Sequence, residues 1–240
     1  MLEKTTYGKK RARNGRFVLV APHGAGDDLK TGVIAVRLAK LLKSTYIINN
    51  KYKKNSNDNI IDDEFVEDFN RLRWGRIKNK YLWARKKPAM KEFYSDIEKK
   101  CEDIKKNNKK PVVVYLHAMK NDEVGIDIGV GLKFKKNRLF GAHNHFDFNF
   151  NTGEVTLKIG KAKRLKKFLE SSLTKDRGLD VTIGEVYSGW SRRSAIQFHK
   201  NGLRNDYAMQ LEINQYLRKD DVNINYLVDL LSRALINIFN

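Results

Sequence analysis

The chain has 240 residues, with 48 Lys and Arg against 28 Asp and Glu, so its formal net charge at pH 7 is +20 with His neutral. Hydrophobic residues make up 41% and include 12 Phe, 10 Tyr and 3 Trp, enough for a sizeable core, which excludes wholesale disorder. No apolar run approaches the ~18 residues that cross a bilayer, and the N-terminal MLEKTTYGKKRARNG has no apolar stretch behind its charges, so neither membrane spanning nor standard secretion is expected.

The first element is FVLVA, Phe17 to Ala21, a continuous apolar run of β-formers with the pattern of a strand buried on both faces. Pro22 ends it and HGAGDDLK follows as a loop. Thr31 is then placed to cap a helix over GVIAVRLAKLLK, whose Val33, Val36, Leu38, Leu41 and Leu42 recur at mostly helical spacing. A second strand, Thr45 to Asn49, leads into the polar KYKKNSNDN, an exposed loop. Pro88 suits the first turn of a helix running to about Lys106, with Met90, Phe93, Ile97 and Ile104 on one broad face.

After Pro111, VVVYLHAM is the strongest strand signal in the chain, apolar until His117. Asn151-Thr152-Gly153, between segments of alternating polarity from Phe146 to Ile159, predicts a hairpin. A basic amphipathic helix near Lys161 to Thr174, strands near Val181 to Val186 and Tyr207 to Asn214, and a helix from about Asn223 to Phe239 complete the chain. This alternation predicts an α/β three-layer sandwich, with a central mixed, mostly parallel sheet flanked by helices. The simplest organisation is one domain over 1–240, with 1–15 a basic, flexible N-terminus.

The lone Cys101 forms no internal disulfide, which fits a reducing cytoplasm. So basic a chain is a candidate for nucleic-acid binding by phosphate neutralisation. Its Lys residues are nevertheless spread throughout, in Lys51 to Lys54, Lys105 to Lys110 and Lys161 to Lys167, where solvated loops and helix faces are expected.

Chemistry collects at strand ends. His23 follows one buried-type strand and His117 ends another, and open α/β sheets build their sites beyond the carboxyl ends of strands. Asp27 and Asp28 lie in the glycine-containing loop after His23. Two His and one carboxylate leave a fourth zinc position for water, a hydrolytic rather than structural arrangement; hydrogen-bonded structural histidines are the competing reading. In YAMQLEIN, Gln210, Glu212 and Asn214 share one face of a strand. Glu212 is either a general base or the ion-pair partner of a Lys or Arg. Asn70 and Arg71 put an amide beside a fixed cation able to hold a carboxylate by two parallel hydrogen bonds, although a surface loop would look similar. His143, His145 and Asp147 in HNHFD are a rival metal site. No P-loop, dinucleotide fingerprint or CxxC knuckle is present.

Together, APHGAGDD, DFNRLR, YLHAM followed by DIGVG, and MQLEIN followed by YLR resemble the N-formylglutamate amidohydrolase family over residues 17 to 218. That family belongs with the zinc-carboxypeptidase-like hydrolases, beside the poly-γ-glutamate hydrolases and the aspartoacylase and succinylglutamate desuccinylase group. The resemblance implies one zinc ion held by His23, His117 and a carboxylate. In the poly-γ-glutamate hydrolase pattern the acid is followed three residues later by Thr, which selects Asp28 with Thr31 and leaves Asp27 as the fallback. It further implies that Asn70 and Arg71 grip the substrate, that Asp127 of DIGVG lies with them, and that Glu212 assists the water. The departures are HGAGDD where formylglutamate enzymes have HSG, and the HNHF segment, which has no counterpart.

The function these features predict is a zinc-dependent amidohydrolase of a small carboxylate-bearing N-acyl amino acid or peptide. Two alternatives stand beside it: a hydrolase of anionic polymers or cell-wall peptides, and a non-enzymatic basic protein that binds nucleic acid.

Overall fold

The computed structural model describes residues 2–25, 28–52, 69, 80–121, 123–131, 133–135, 138–140, 155–189, 194–199 and 205–239, the side chains of 80–87, 133–135 and 138–140 aside. The elements in order are β1 (Leu2–Lys4), β2 (Gly8–Arg11), β3 (Phe17–Ala21), α1 (Thr31–Leu41), β4 (Thr45–Asn49), α2 (Lys80–Lys106), β5 (Val112–Met119), β6 (Val124–Gly129), β7 (Lys133–Lys135), β8 (Arg138–Phe140), α3 (Ile159–Arg177), β9 (Asp180–Thr182), β10 (Tyr207–Asn214) and α4 (Asp221–Phe239). Short 3-10 turns cover Ala195–His199 and Tyr216–Arg218.

Eight strands form one sheet in the order β1-β2-β4-β3-β5-β10-β6-β9. Its centre, β4-β3-β5-β10, is parallel, while β1, β2 and β6 run antiparallel to neighbours. The predicted mixed sandwich is therefore the observed fold. From β3 the chain crosses through α1 to β4 on one side, then through α2 to β5 on the other. A topological switch point thus lies between the carboxyl ends of β3 and β5, where open α/β sheets place their sites.

Alternation along the strands divides the core. Leu19, Val114, Leu116, Ile126, Ile128, Leu211 and Ile213 pack with α1, α3 and α4. Val18, Val20, Val113, Tyr115 and Ala208 face α2 through Met90, Phe93, Ile97, Cys101 and Ile104. Strands buried on both faces are why the central runs are apolar at every position. No helix among the described residues is long and apolar enough to cross a membrane.

Four expectations need correction. The basic N-terminus is not a loose tail: β1 and β2 extend the sheet. Tyr7 between them is fully buried and donates to Asp96 of α2 at 2.8 Å, with Lys10 on the same carboxylate at 2.7 Å. Helix α2 starts at Lys80, so Pro88 lies inside it rather than in its first turn. Thr31 is not the cap of α1 but its first residue, following Lys30 at φ 68. The buried stripe of α1 is Thr31, Ile34, Ala35, Leu38 and Ala39, leaving Val33 and Leu41 exposed, because tertiary contact and not apolarity alone sets which face docks. The hairpin expected around Asn151 falls largely outside the described residues.

A second buried polar group sits under α2. His199 is flanked by Asp206 on Nδ1 at 2.9 Å and the Tyr115 hydroxyl on Nε2 at 3.0 Å, and Lys105 approaches the other Asp206 oxygen at 3.0 Å. Burial pushes the Asp206 carboxyl up, but the hydrogen bonds and charges of His199 and Lys105 outweigh this and hold it below the usual carboxylate range. Such a group stabilises the fold above its unfolded-state pKa of about 3.9, and the contribution is lost as pH falls through the lower folded-state value. Asp206→Asn is therefore expected to melt earlier than wild type at neutral pH and to lose less on acidification from about pH 4 to about pH 2. Parallel melting curves over that interval would show that the Asp206 charge does not support the fold.

Candidate metal centre

The loop after β3 is built to bring Asp28 back over His23. The backbone N–H of Asp28 donates to the His23 carbonyl at 3.2 Å. Thr31 closes the other side, its N–H and hydroxyl both donating to the Asp28 carbonyl at 3.2 and 2.8 Å. Gly24 lets the loop lie against β4, since a Cβ there would meet Ile48 Cγ2 at 2.9 Å and the Asn49 carbonyl at 3.0 Å. Buried Asn49 fixes the base of the loop by donating to the carbonyls of Pro22 and Tyr52, both at 2.7 Å.

His117 reaches the same place from β5. The Nδ1 atoms of His23 and His117 lie 3.1 and 3.0 Å from a single oxygen, Oδ2 of Asp28, with ring centroids 5.0 Å apart. Both histidines are 3% exposed. Burial pushes the Asp28 carboxyl up, but the hydrogen bonds and charges of His117 and His23 more than reverse this and hold it far below the usual carboxylate range.

Whether these residues suit a divalent metal follows from their donor atoms. One atom from each of His23, Asp28 and His117 lies within 4.8 Å of the others, all three residues being buried. Two imidazole nitrogens and a carboxylate oxygen are the donor types of a catalytic zinc site with an open position. A cation entering there replaces the protons shared between the imidazoles and Asp28, the usual coupling of metal uptake to proton release. The set fits.

Glu212 stands beside this cluster. In the parallel pairing of β10 with β5 it is in register with His117, and in the antiparallel pairing with β6 it is in register with Asp127. Asp127, Glu212 and His117 therefore form one row across the sheet on the α2 face. Gln210, one step back on that face, donates its amide to the Tyr187 carbonyl at 2.7 Å and to Glu212 Oε1 at 3.2 Å. Two acceptors fix the amide's orientation, and among the described residues the buried Oε1 of Gln210 has no hydrogen-bond partner. Gly129 makes room for this arrangement, because a Cβ there would lie 2.5 Å from both Gln210 Cγ and the Tyr187 carbonyl.

Asp127, which the resemblance places with the substrate contacts, has both carboxylate oxygens engaged by the protein itself. It is fully buried, and its two oxygens accept four hydrogen bonds: from the Thr182 hydroxyl at 2.6 Å and from the backbone N–H groups of Glu185, Val186 and Tyr187 at 3.1, 3.0 and 2.7 Å. These bonds pull the chain out of the sheet, which is why β9 ends at Thr182 instead of continuing to Val186.

Asn70 and Arg71 lie outside the described residues, as do Asp27 and the rival HNHFD group. Phe69, the residue before Asn70, is buried, stacks on Tyr52 and meets Phe93 edge-on, and its carbonyl accepts from the Tyr94 hydroxyl at 2.8 Å. Nothing in the sequence pattern marks His199 with Asp206 or a role for Arg218. YLR was legible only as part of a motif, since nothing in its spacing shows where the guanidinium goes.

The chain shares its fold with several solved structures. An N-formylglutamate amidohydrolase from Ralstonia eutropha JMP134 aligns over 99% of this chain and 96% of its own, with 12% identity and a TM-score of 0.60. The gene product Atu2144 from Agrobacterium tumefaciens aligns over 95% and 93%, with 14% identity and a TM-score of 0.57. YNDL in its apo, zinc-free form aligns over 96% and 89%, with 12% identity and a TM-score of 0.51. No family model matches the sequence, and neither does any curated protein.

If Asp127 only shapes the 182–187 segment, Asp127→Ala removes the acceptor for four donors and costs about 3 kcal/mol, a fall in Tm of roughly 6 to 12 °C for a chain of this size. A variant that melts like wild type would instead free Asp127 for the substrate contact, to be sought as a raised KM.

Proposed function

We propose that this chain is a metal-dependent amidohydrolase that cleaves an amide bond in a small carboxylate-bearing N-acyl amino acid or peptide, with N-formylglutamate the first substrate to try. The convergence of His23, Asp28 and His117 on one point at the switch of the sheet, with Glu212 in register beside them, is the observation that carries this reading. The fold shared with an N-formylglutamate amidohydrolase supports the reaction class, and the neighbour described as zinc-free supports zinc as the metal.

His23, Asp28 and His117 hold the ion. When bound, a divalent metal supplies Lewis acidity that polarises an amide carbonyl and favours deprotonation of water. Glu212 accepts a proton from the attacking water and returns it to the amine nitrogen as the C–N bond breaks, so one water is consumed and a carboxylate and an amine leave. No covalent enzyme intermediate is needed. The Gln210 amide fixes one oxygen of Glu212, which orients the carboxylate for that transfer. Asn70 and Arg71 take the substrate carboxylate, the guanidinium through two parallel hydrogen bonds that a lysine cannot reproduce.

The test is hydrolysis of a panel of N-acyl amino acids by zinc-loaded protein and by two variants. Glu212→Gln is expected to lower kcat by about 10²- to 10⁴-fold while keeping its metal and its fold, and Arg71→Lys to raise KM through the lost fork geometry. Unchanged kcat in Glu212→Gln would remove Glu212 as the base, and no hydrolysis of any member of the panel would contradict the substrate class.

A further inference from the structure

Arg218 is a buried cation with an unusual set of partners. It follows β10 in the Tyr216–Arg218 turn and is 8% exposed. Its Nε donates to the Ile213 carbonyl at 2.9 Å, Nη1 to the Leu29 carbonyl at 2.7 Å and Nη2 to the Met119 carbonyl at 3.2 Å. Leu29 is the residue after Asp28, Ile213 the residue after Glu212, and Met119 ends the strand that carries His117. One guanidinium therefore ties together the three chain segments bearing the carboxylate ligand, the distal histidine and the proposed base. Lys30 reinforces the same junction, its Nζ donating to the Lys219 carbonyl at 2.6 Å.

Burial disfavours the charged guanidinium, and the charges that act against this are those of Asp28 and Glu212. A planar fork with donors in fixed directions can hold three carbonyls at set angles, whereas an ammonium is a single point of charge on a flexible stem. The Leu29 carbonyl is the contact that a purely local role would not require, since it belongs to a loop 189 residues away in sequence.

We propose that Arg218 is a positioning residue: by fixing the carbonyls of Leu29, Ile213 and Met119 it sets where Asp28, Glu212 and His117 stand relative to one another, and hence how tightly the cluster binds a metal. This inference rests on the metal-centre reading above. Groups that orient ligands from behind typically govern metal affinity by 10- to 100-fold.

The experiment measures zinc affinity by competition with a chromophoric chelator, well below each protein's melting temperature, for full-length wild type, Arg218→Lys, Arg218→Met and Leu235→Ala. Leu235 is a core residue of α4, so its truncation reports what loss of stability alone does to zinc binding. The expected result is zinc affinity about 10- to 100-fold weaker in Arg218→Lys, at least as weak in Arg218→Met, and unchanged in Leu235→Ala. If Arg218→Met does not fold, the lysine variant decides. Wild-type zinc affinity in a folded Arg218→Lys would overturn the positioning role and leave the metal centre standing, as would equal weakening in Leu235→Ala. A wild type that binds no zinc would overturn the metal reading and this inference with it.

Discussion

One oxygen of Asp28 held between two imidazoles is the interaction around which the site is organised. An ionised carboxylate away from water is costly unless paired, and Asp28 is paired twice, by side chains from two different strand ends. Those strand ends are brought together because the chain reverses direction across the sheet between β3 and β5. A parallel sheet with helices on both faces buries its middle and leaves its carboxyl edge for polar groups, so the loop carrying Asp28 sits where the backbone gives it room.

Hydrogen bonds around the carboxyl edge of the sheet support this point. Asn49 holds the start of the loop, Thr31 its end, and Gln210 the carboxylate of Glu212. Asp127 extends the same row and gathers three consecutive backbone N–H groups, which turns the segment after β9 towards Gln210 through the Tyr187 carbonyl. The opposite face carries the larger apolar cluster, packed with α1, α3 and α4. Both faces supply core, and the row of polar side chains from Asp127 through Glu212 to His117 lies on the α2 side.

Much of this was legible in the sequence because burial on both faces leaves an unbroken apolar run. FVLVA, VVVYLHAM and YAMQLEIN announced β3, β5 and β10, and a polar residue at the end of such a run, as at His117 and Glu212, is conspicuous. What was not legible depends on tertiary contact. The strands β1 and β2 are short and basic, and they are held by pairing with β4 and by the contacts of Tyr7 and Lys10 with Asp96. Apolar spacing in α1 misjudged the docking face, because Thr31, Ala35 and Ala39 are buried beside Ile34 and Leu38 while Val33 and Leu41 are exposed. The choice between Asp27 and Asp28 needed the pattern of a family, and the partners of Arg218 and His199 needed coordinates, since their contacts span 189 and 84 residues for Leu29 and Tyr115 respectively.

The central claim is that His23, Asp28 and His117 form a metal site, and elemental analysis of purified protein after removal of loosely bound ions tests it most directly. The account predicts about one zinc per chain in wild type, lost in both His23→Ala and His117→Ala while each variant remains folded. A wild type that takes up no metal when zinc is offered, or two histidine variants that both retain it, would contradict the account.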